Sequence, residues 1–179
     1  APAGERLQAE LMLLLDEPGA SRWLRLMDET GLLTALLEEL EPARQCAEEY
    51  YGPGGVMRHC LDACARADLL LSHVGRVFPE NAVGIEEDLK HRAESGQKFR
   101  ALVMLSALLH DISKHETAKR VDGRLRFFQH DTIGAKRVEA ILKRLRFSRE
   151  NVELASAVVG SHLRPGNLAA SGEITDKAV

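Results

Sequence analysis

The sequence has few of the residues that mark secreted or membrane-embedded chains. Its three cysteines, Cys46, Cys60 and Cys64, are too few and odd in number for a disulfide scaffold, so we expect a reducing compartment and a cytoplasmic location. The apolar run at residues 11–15 is far shorter than the roughly 20 residues that cross a bilayer, so we expect no contact with a membrane. The 179 residues, 45% hydrophobic and 28% charged, fit one globular domain. Because the chain does not begin with Met, we expect a piece of a longer protein.

Strong net charge is also missing, but the charges are unevenly distributed. The formal net charge is −3, yet residues 1–56 carry 11 acidic and 4 basic side chains, whereas residues 114–149 carry 11 basic and 4 acidic ones. The second block can attract anions such as a tRNA or another RNA. Aromatic residues, which would stack on bases, make up only 4% of the chain, and this leaves a second interpretation open. In that interpretation five basic residues form the solvated face of one helix: Lys136, Arg137, Lys143, Arg144 and Arg146.

Hydrophobic side chains recur at helical spacing through most of the chain. The most apolar stretch begins at Lys98 and is predicted to be a buried helix, preceded by a surface connection over 80–97 with one helical turn near 86–91. Ser21 and Ser148 are predicted N-caps, Pro42 is predicted to end a helix, and residues 50–55 have the composition of a loop. The other predicted helices lie near residues 7–16, 21–31, 32–42, 56–78, 132–146 and 148–162.

Strand signals occur at one place only. Residues 117–121 and 124–128 are two short runs joined by Asp122-Gly123, the composition of a two-residue hairpin turn. The sequence therefore predicts an all-α fold with one short β-hairpin.

Seven histidines are present, and their placement points to a metal site. His110 and Asp111 end the most hydrophobic helix, where an adjacent imidazole and carboxylate would be costly to bury without a partner. A divalent cation provides that partner, and the ligand types suit zinc, manganese, iron, cobalt or nickel, and with enough carboxylate and water also magnesium. Further candidate ligands lie near the ends of other predicted helices: His59, His130, His162 and Asp176. We expect His73, His91 and His115 to be surface or capping residues.

The order H…HD…H…H…D resembles the HD superfamily of metal-dependent phosphohydrolases. Residues 107–148, ALLHDISKHETAKRVDGRLRFFQHDTIGAKRVEAILKRLRFS, resemble the HD region of the bacterial tRNA nucleotidyltransferase and poly(A) polymerase family. Upstream, ERLQAEL at 5–11 and ETGLLTALLEEL at 29–40 are similar to that family's neck. Downstream, SHLRP at 161–165 and ITDKAV at 174–179 are similar to its HMRP and LTDRAV segments.

The resemblance implies an HD helical bundle with the hairpin inserted after the HD motif. Residues 1–50 would be neck-like helices packed on the bundle, and 51–179 would be the HD domain, both as a fragment of a longer protein. The activity implied is hydrolysis of small phosphate esters or nucleotides with a divalent metal such as Mg, Mn, Ni or Zn. Nucleotidyl transfer is not expected, because that chemistry in the family needs an Asp-x-Asp pair and this sequence has none.

The resemblance also implies roles for individual residues. One ion would be held by His59, His110, Asp111 and Asp176, with Asp111 bridging to a second ion on His130 and His162; Asp176 could equally cap a helix. The residues implied to act in catalysis are Asp111, Lys114, His130 and Arg164, although Lys114 and Arg164 could be ordinary surface cations. Three positions depart from the family pattern: Ser113 and Gln129 replace glycines, and Ser161 replaces a second histidine.

Two rival functions remain open at this stage. The first is a non-catalytic module that binds RNA or supports an RNA-processing nucleotidyltransferase. The second is a structural zinc site formed by His59, Cys60 and Cys64, but these cysteines fall on an apolar helix stripe and lack a Cys-x-x-Cys partner pair, which favours a core role.

Overall fold

The computed structural model describes residues 4–90, 96 and 98–171, and in these ranges the chain forms helices and one β-hairpin. The prediction of an all-α fold with a hairpin after the HD motif is confirmed. In chain order the elements are α1 (Gly4–Asp16), α2 (Ala20–Glu29), α3 (Leu32–Leu36), a 3₁₀ segment (Glu38–Ala43), α4 (Glu48–Tyr51), α5 (Gly55–Ser72), α6 (Val74–Val77), α7 (Ala82–Lys90), α8 (Phe99–Leu109), α9 (Lys114–Thr117), β1 (Ala118–Val121), β2 (Arg124–Phe127), α10 (His130–Arg144), α11 (Arg149–Ser161) and α12 (Arg164–Ser171).

Helix α8 lies at the centre of the hydrophobic core, as its apolar sequence predicts. It packs against α1, α5, α7 and α11, and side chains from most of its turns are buried. Burial on several sides explains why this helix is apolar around most of its circumference rather than along one stripe. The residues of α8 that are buried are Ala101, Leu102, Met104, Leu105, Ser106, Leu108 and Leu109.

No helix in the described ranges has the length and apolar character that crossing a bilayer requires.

The hairpin turn has the backbone that the Asp-Gly pair predicts. Asp122 and Gly123 both have positive φ, 50° and 74°, as a type I′ turn requires. The strands are antiparallel, with Ala118 opposite Phe127 and Val121 opposite Arg124.

Several predicted boundaries are wrong. Ser21 is not the N-cap of α2, which is preceded by Gly19, and Pro42 lies inside the 3₁₀ segment rather than at a helix end.

The predicted helix over 56–78 is divided, because α5 ends at Ser72 and α6 follows His73. Residues 86–90 of the predicted helical turn are part of a longer helix, α7, and residue 91 lies outside the described residues. Tyr50 and Tyr51 are helical in α4 rather than in a loop. Ser148 is an N-cap as predicted, accepting a hydrogen bond from the Asn151 amide at 3.3 Å.

Asp68, on α5, links three parts of the chain. Its carboxylate accepts hydrogen bonds from the Gly19 amide at 3.1 Å and from the Ser21 amide and hydroxyl at 3.1 and 2.9 Å. It also pairs with Arg100 of α8 at 2.8 Å. A second ion pair, Asp16 with Lys98, joins the end of α1 to the start of α8. The N-terminal helices are therefore held on the core by partly buried polar contacts as well as by apolar packing.

We expect Asp68→Asn to lower the free energy of unfolding by about 3 kcal/mol, because it leaves the Arg100 guanidinium without its buried counter-charge. Burial raises the pKa of Asp68, but the hydrogen bonds from Ser21 and Gly19 and the charge of Arg100 outweigh burial, so the pKa lies below its ordinary value of 3.8. The carboxylate therefore stabilises the fold fully above pH 3.8, and this contribution disappears as the pH falls through the lowered pKa. Urea unfolding at several pH values measures both effects.

Asp62→Asn is a matched control on the same helix. Its carboxylate pairs with Arg25 at 2.6 Å, but both side chains are more than 40% exposed. Exposed pairs contribute about 0–1 kcal/mol, so this variant should remain close to wild type. Equal losses in the two variants would show that the Asp68 contacts add nothing beyond surface charge.

Candidate metal centre

Four helices bring their ends together around one carboxylate. His59 lies in the second turn of α5, His110 is the C-cap of α8, His130 begins α10, and His162 is the C-cap of α11. Asp111 follows α8 directly and is 1% exposed. The sequence separates these residues by up to 103 positions, and only the packing of the helices joins them.

A close backbone approach fixes the start of α5. The Val56 amide donates to the Cys46 carbonyl at 2.9 Å, and Gly55 has φ +52°. A Cβ on Gly55 would lie 2.2 Å from the same carbonyl oxygen, so no side chain fits there without moving the backbone. Glycine at this position therefore sets where α5 begins, and with it the position of His59 one turn later.

The five side chains form two groups that share Asp111. On one side, Asp111 Oδ2 lies 3.2 Å from His59 Nε2 and 3.1 Å from His110 Nε2. On the other, Oδ1 lies 3.2 Å from His130 Nε2 and 3.5 Å from His162 Nε2. Within each group the potential ligand atoms are all within 4.8 Å of one another. Each group is therefore a candidate cation site, and the two candidates share the Asp111 carboxylate.

Backbone carbonyls fix the tautomer of three of the imidazoles. Nδ1 of His110, His130 and His162 lies 2.8, 2.7 and 2.6 Å from the carbonyl oxygen three residues earlier. Because a carbonyl oxygen can only accept, Nδ1 carries the proton, and in a neutral ring Nε2 then presents a lone pair. Such contacts from the second ring nitrogen are typical of metal-binding histidines.

The converging atoms are thus nearly all acceptors. Asp111 Oδ1 and His130 Nε2 are buried and make no hydrogen bond of acceptable geometry with any described residue, while Asp111 Oδ2 faces the Lys114 ammonium at 2.6 Å. Burying such acceptors without a donor or a cation costs free energy. Imidazole nitrogens with a shared carboxylate are the donors that first-row divalent metals prefer, so the residues present fit the metal ions that the sequence predicts.

Lys114 and Tyr51 complete the surroundings of Asp111. Lys114 Nζ is 2.6 Å from Asp111 Oδ2 and donates to the Tyr51 hydroxyl at 2.7 Å. The Tyr51 ring stacks on His59 with 4.5 Å between ring centroids. Tyr51 was not among the predicted site residues, and the only sequence signal for it is its position just before the glycine turn that precedes α5.

The charges of this cluster depend on one another. Burial raises the pKa of Asp111, but the four surrounding imidazoles outweigh burial and hold it well below the ordinary value. Burial lowers the pKa of Lys114 and of His162, but in both cases the Asp111 carboxylate more than compensates and the pKa is raised. The site therefore favours positive charge next to Asp111.

The structure explains two positions at which the sequence departs from the family pattern, Ser113 and Gln129. The Ser113 hydroxyl donates to the His130 carbonyl at 2.6 Å, which joins the HD motif to the start of α10. Gln129 has φ 61°, a left-handed conformation that glycine adopts without strain. This explains why a glycine suits the residue before His130.

The remaining predicted site residues lie elsewhere. Arg164 is exposed at the start of α12, two residues beyond His162, and Asp176 and His91 lie outside the described residues. His73 and His115 each place Nδ1 2.9 Å from a backbone carbonyl three or four residues earlier and do not belong to the cluster.

The cysteines of the rival zinc site are part of the core. Cys60 and Cys64 are fully buried, and Cys64 Sγ lies 3.8 Å from the Met104 carbonyl oxygen. Burial raises the pKa of both thiols, that of Cys64 to about 12, so neither is a ready thiolate ligand.

We expect the double substitution Cys60→Ala and Cys64→Ala to leave the amount of bound metal per chain unchanged. Its effect should be a lower melting temperature, because small cavities replace two buried thiols. Elemental analysis after gel filtration and thermal unfolding measure the two quantities. Loss of metal from a variant that still folds would restore the rival zinc site.

The basic residues that follow the hairpin are largely paired with acids. Arg137 contacts Glu116 at 2.6 Å and Lys143 contacts Glu139 at 2.5 Å. Arg144 reaches Glu39 at 2.9 Å. These ion pairs support the interpretation that α10 presents a solvated charged face.

The helical bundle, the hairpin and the histidine-aspartate cluster define a class of protein. Residues 58–178 match the HD domain family, and the chain belongs to that family. Residues 3–44 match a family described as "Probable RNA and SrmB- binding site of polymerase A".

Two curated relatives are similar along most of the chain. An A-adding tRNA nucleotidyltransferase of Deinococcus radiodurans is 30% identical over 164 residues, and a CC-adding tRNA nucleotidyltransferase of Thermus thermophilus is 34% identical over 165 residues. Each alignment covers 90% of this chain but only 32% of the relative, so the chain spans about a third of the length of these enzymes. These alignments confirm the resemblance to the tRNA nucleotidyltransferase family.

Proposed function

We propose that this chain is a metal-dependent phosphohydrolase module that acts on small phosphate esters or nucleotides. One observation carries the proposal: imidazoles from four helices surround the buried Asp111 carboxylate and form with it two groups of potential metal ligands. His59, His110 and Asp111 would hold one divalent ion, and Asp111, His130 and His162 a second, with Asp176 as a further candidate ligand. A bound ion would polarise a phosphoryl oxygen and lower the pKa of water from 15.7 towards about 7.

The chain's own residues would prepare the site for this chemistry. The carbonyl contacts at Nδ1 orient three imidazoles before any ligand arrives, so little reorganisation remains. Lys114, held between Asp111 and Tyr51, carries the cation nearest to the cluster and would offset the negative charge that develops on a phosphate. Arg164, exposed just beyond His162, is a second candidate for the same role.

The curated relatives support a proposal about the longer protein that contains this chain. We propose that the chain is part of a longer protein of the tRNA nucleotidyltransferase type, with residues 1–50 as neck and 51–179 as HD domain, located in the cytoplasm and in contact with RNA. The nucleotide-adding activities named for the relatives are not proposed for this chain, because its sequence has no Asp-x-Asp pair.

Elemental analysis combined with a hydrolysis screen tests the function. The purified chain should retain a divalent ion through gel filtration, and a chelator should remove it. Reloading with Mg, Mn, Ni or Zn should restore hydrolysis of p-nitrophenyl phosphate, a 2′-nucleotide or a 2′,3′-cyclic nucleotide. Ion retention without hydrolysis under any of these ions would favour the non-catalytic module instead.

A further inference from the structure

The outward face of the β-hairpin carries three cations. Because side chains alternate across a strand, Ala118, Arg120, Leu125 and Phe127 share the inner face, which packs on α4 and the core. On the outer face, Lys119 lies directly opposite Arg126, and Arg124 lies opposite Val121. We call Lys119, Arg124 and Arg126 the hairpin cations; all three are exposed.

This placement is unfavourable within the protein itself. Like charges directly opposite each other on paired strands destabilise a hairpin, and a two-stranded hairpin is only marginally stable on its own. The inner-face Arg120 pairs with Glu49, whereas none of the hairpin cations forms an ion pair with a carboxylate among the described residues. The outer face is thus a concentration of positive charge that the described part of the chain does not neutralise.

The surfaces of α10, α11 and residues 3–44 carry more acidic side chains than the outer face of the hairpin. Arg137, Lys143 and Arg144 of α10 pair with Glu116, Glu139 and Glu39, and Arg149 of α11 pairs with Glu153. The segment that matches the RNA-binding family, residues 3–44, has nine acidic and four basic side chains, so its own charge opposes a polyanion. The hairpin cations differ from these paired residues in having no acidic partner among the described residues.

An aromatic side chain lies next to these cations. Phe128 follows β2 directly and is 59% exposed. Cations combined with an exposed aromatic ring are typical of surfaces that bind single-stranded nucleic acid, where the ring stacks on a base and the cations follow the backbone.

We propose that the hairpin cations and Phe128 bind single-stranded RNA through its phosphates and one stacked base, without reading sequence. The inner face of the same hairpin adjoins the candidate metal centre, since the Phe127 ring lies 5.2 Å from Lys114 Nζ and 6.4 Å from the His130 ring. The choice of RNA as the bound polyanion rests on the proposed function, in which the chain contacts RNA. The location of the surface rests on the charges of the hairpin.

Fluorescence anisotropy with a labelled oligouridylate tests the proposal on the whole chain. Three phosphate contacts predict a log-log salt slope near −2, or about a 20-fold loss of affinity between 50 and 200 mM salt. The triple variant Lys119→Gln, Arg124→Gln, Arg126→Gln should bind about tenfold more weakly at low salt and lose most of this slope. Phe128→Ala should weaken binding at every salt concentration and leave the slope unchanged, because stacking releases no counterions.

A matched control removes the same charge from α10 and α11. Arg137→Gln, Lys143→Gln and Arg149→Gln also neutralise one lysine and two arginines, all of them paired with acids. This variant should bind the oligouridylate within about twofold of wild type. Equal weakening in both triple variants, or wild-type binding by the hairpin variant, would overturn the proposal, and so would tighter binding of a duplex of the same length.

Hydrolysis of p-nitrophenyl phosphate separates this proposal from the previous one. The hairpin cations do not touch the metal centre, so their triple variant should retain wild-type hydrolysis of this small ester. RNA binding that depends on the hairpin in a chain without hydrolysis would contradict only the phosphohydrolase function. Hydrolysis without hairpin-dependent RNA binding would contradict only the hairpin proposal, and the charged face would then serve to protect the strand edges.

Discussion

Asp111→Ala is expected to abolish both metal retention and phosphate-ester hydrolysis while the helical content remains. Asp111 is the residue common to both candidate ligand groups, and no other described carboxylate belongs to either group. Loss of an outer-shell partner already costs up to about 100-fold in metal affinity, so loss of the shared ligand should exceed that figure. Because alanine is a strong helix former, far-ultraviolet circular dichroism should change little.

Asp131→Ala provides the comparison. This aspartate follows the candidate ligand His130, but its carboxylate accepts from the Thr132 amide at 2.8 Å and is outside both groups. Metal content and turnover should stay near wild type. Undiminished hydrolysis in a folded Asp111→Ala protein would contradict the metal mechanism, and loss of folding would be visible in the same spectra; Asp111→Asn, which preserves the shape of the side chain, then repeats the measurement.

Much of the fold could be predicted because its strongest signals are local. The apolar sequence of α8 indicates burial on several sides, and the Asp-Gly pair requires two positive φ values that the turn adopts. Helix boundaries were less predictable where distant residues decide them. Ser21 resembles an N-cap in sequence, yet its hydroxyl donates to Asp68, 47 positions away.

The end of α5 has a similar explanation. The Ser72 hydroxyl donates to the Asp68 carbonyl at 2.8 Å, and His73 Nδ1 contacts the Leu69 carbonyl at 2.9 Å. Side chains that compete for helix carbonyls in this way weaken the continuation of a helix. The apolar pattern continues past this point, so periodicity alone predicts one long helix where the structure has two.

Some residues of the candidate site could also be predicted from local signals, whereas others depend on how distant elements pack. His110 and Asp111 could be singled out because burial of adjacent polar groups requires a partner, and the other ligand candidates could be singled out because they lie near the ends of predicted helices in the order of the HD family. Tyr51 could not, because its importance lies in contacts with His59 and Lys114 that depend on how α4 and α5 pack. The hairpin cations were counted within the basic block, but only the strand register shows which of them face solvent together.

Lys114→Met is expected to reduce turnover by about 100- to 1,000-fold and to leave metal content unchanged or higher. Removing a preorganised charge that acts on the transition state costs about 2.7–4 kcal/mol. The ammonium group lies 2.6 Å from Asp111 Oδ2, so it repels a divalent ion at that oxygen and its removal does not weaken ion binding. Methionine fills the buried space of the lysine stem without a charge.

Two further variants show whether position or mere charge matters. Tyr51→Phe keeps the ring on His59 but removes the hydroxyl that accepts from Lys114, so turnover should fall by about tenfold, the value of one hydrogen bond to a charged group. Lys136→Met removes an exposed lysine from α10 and should behave as wild type. Isothermal titration with Mn²⁺ and steady-state kinetics measure ion affinity and turnover separately. If Lys114→Met lost metal and activity in the same proportion, Lys114 would support the ligand Asp111 rather than the phosphate, because only a role at the phosphate separates the two quantities.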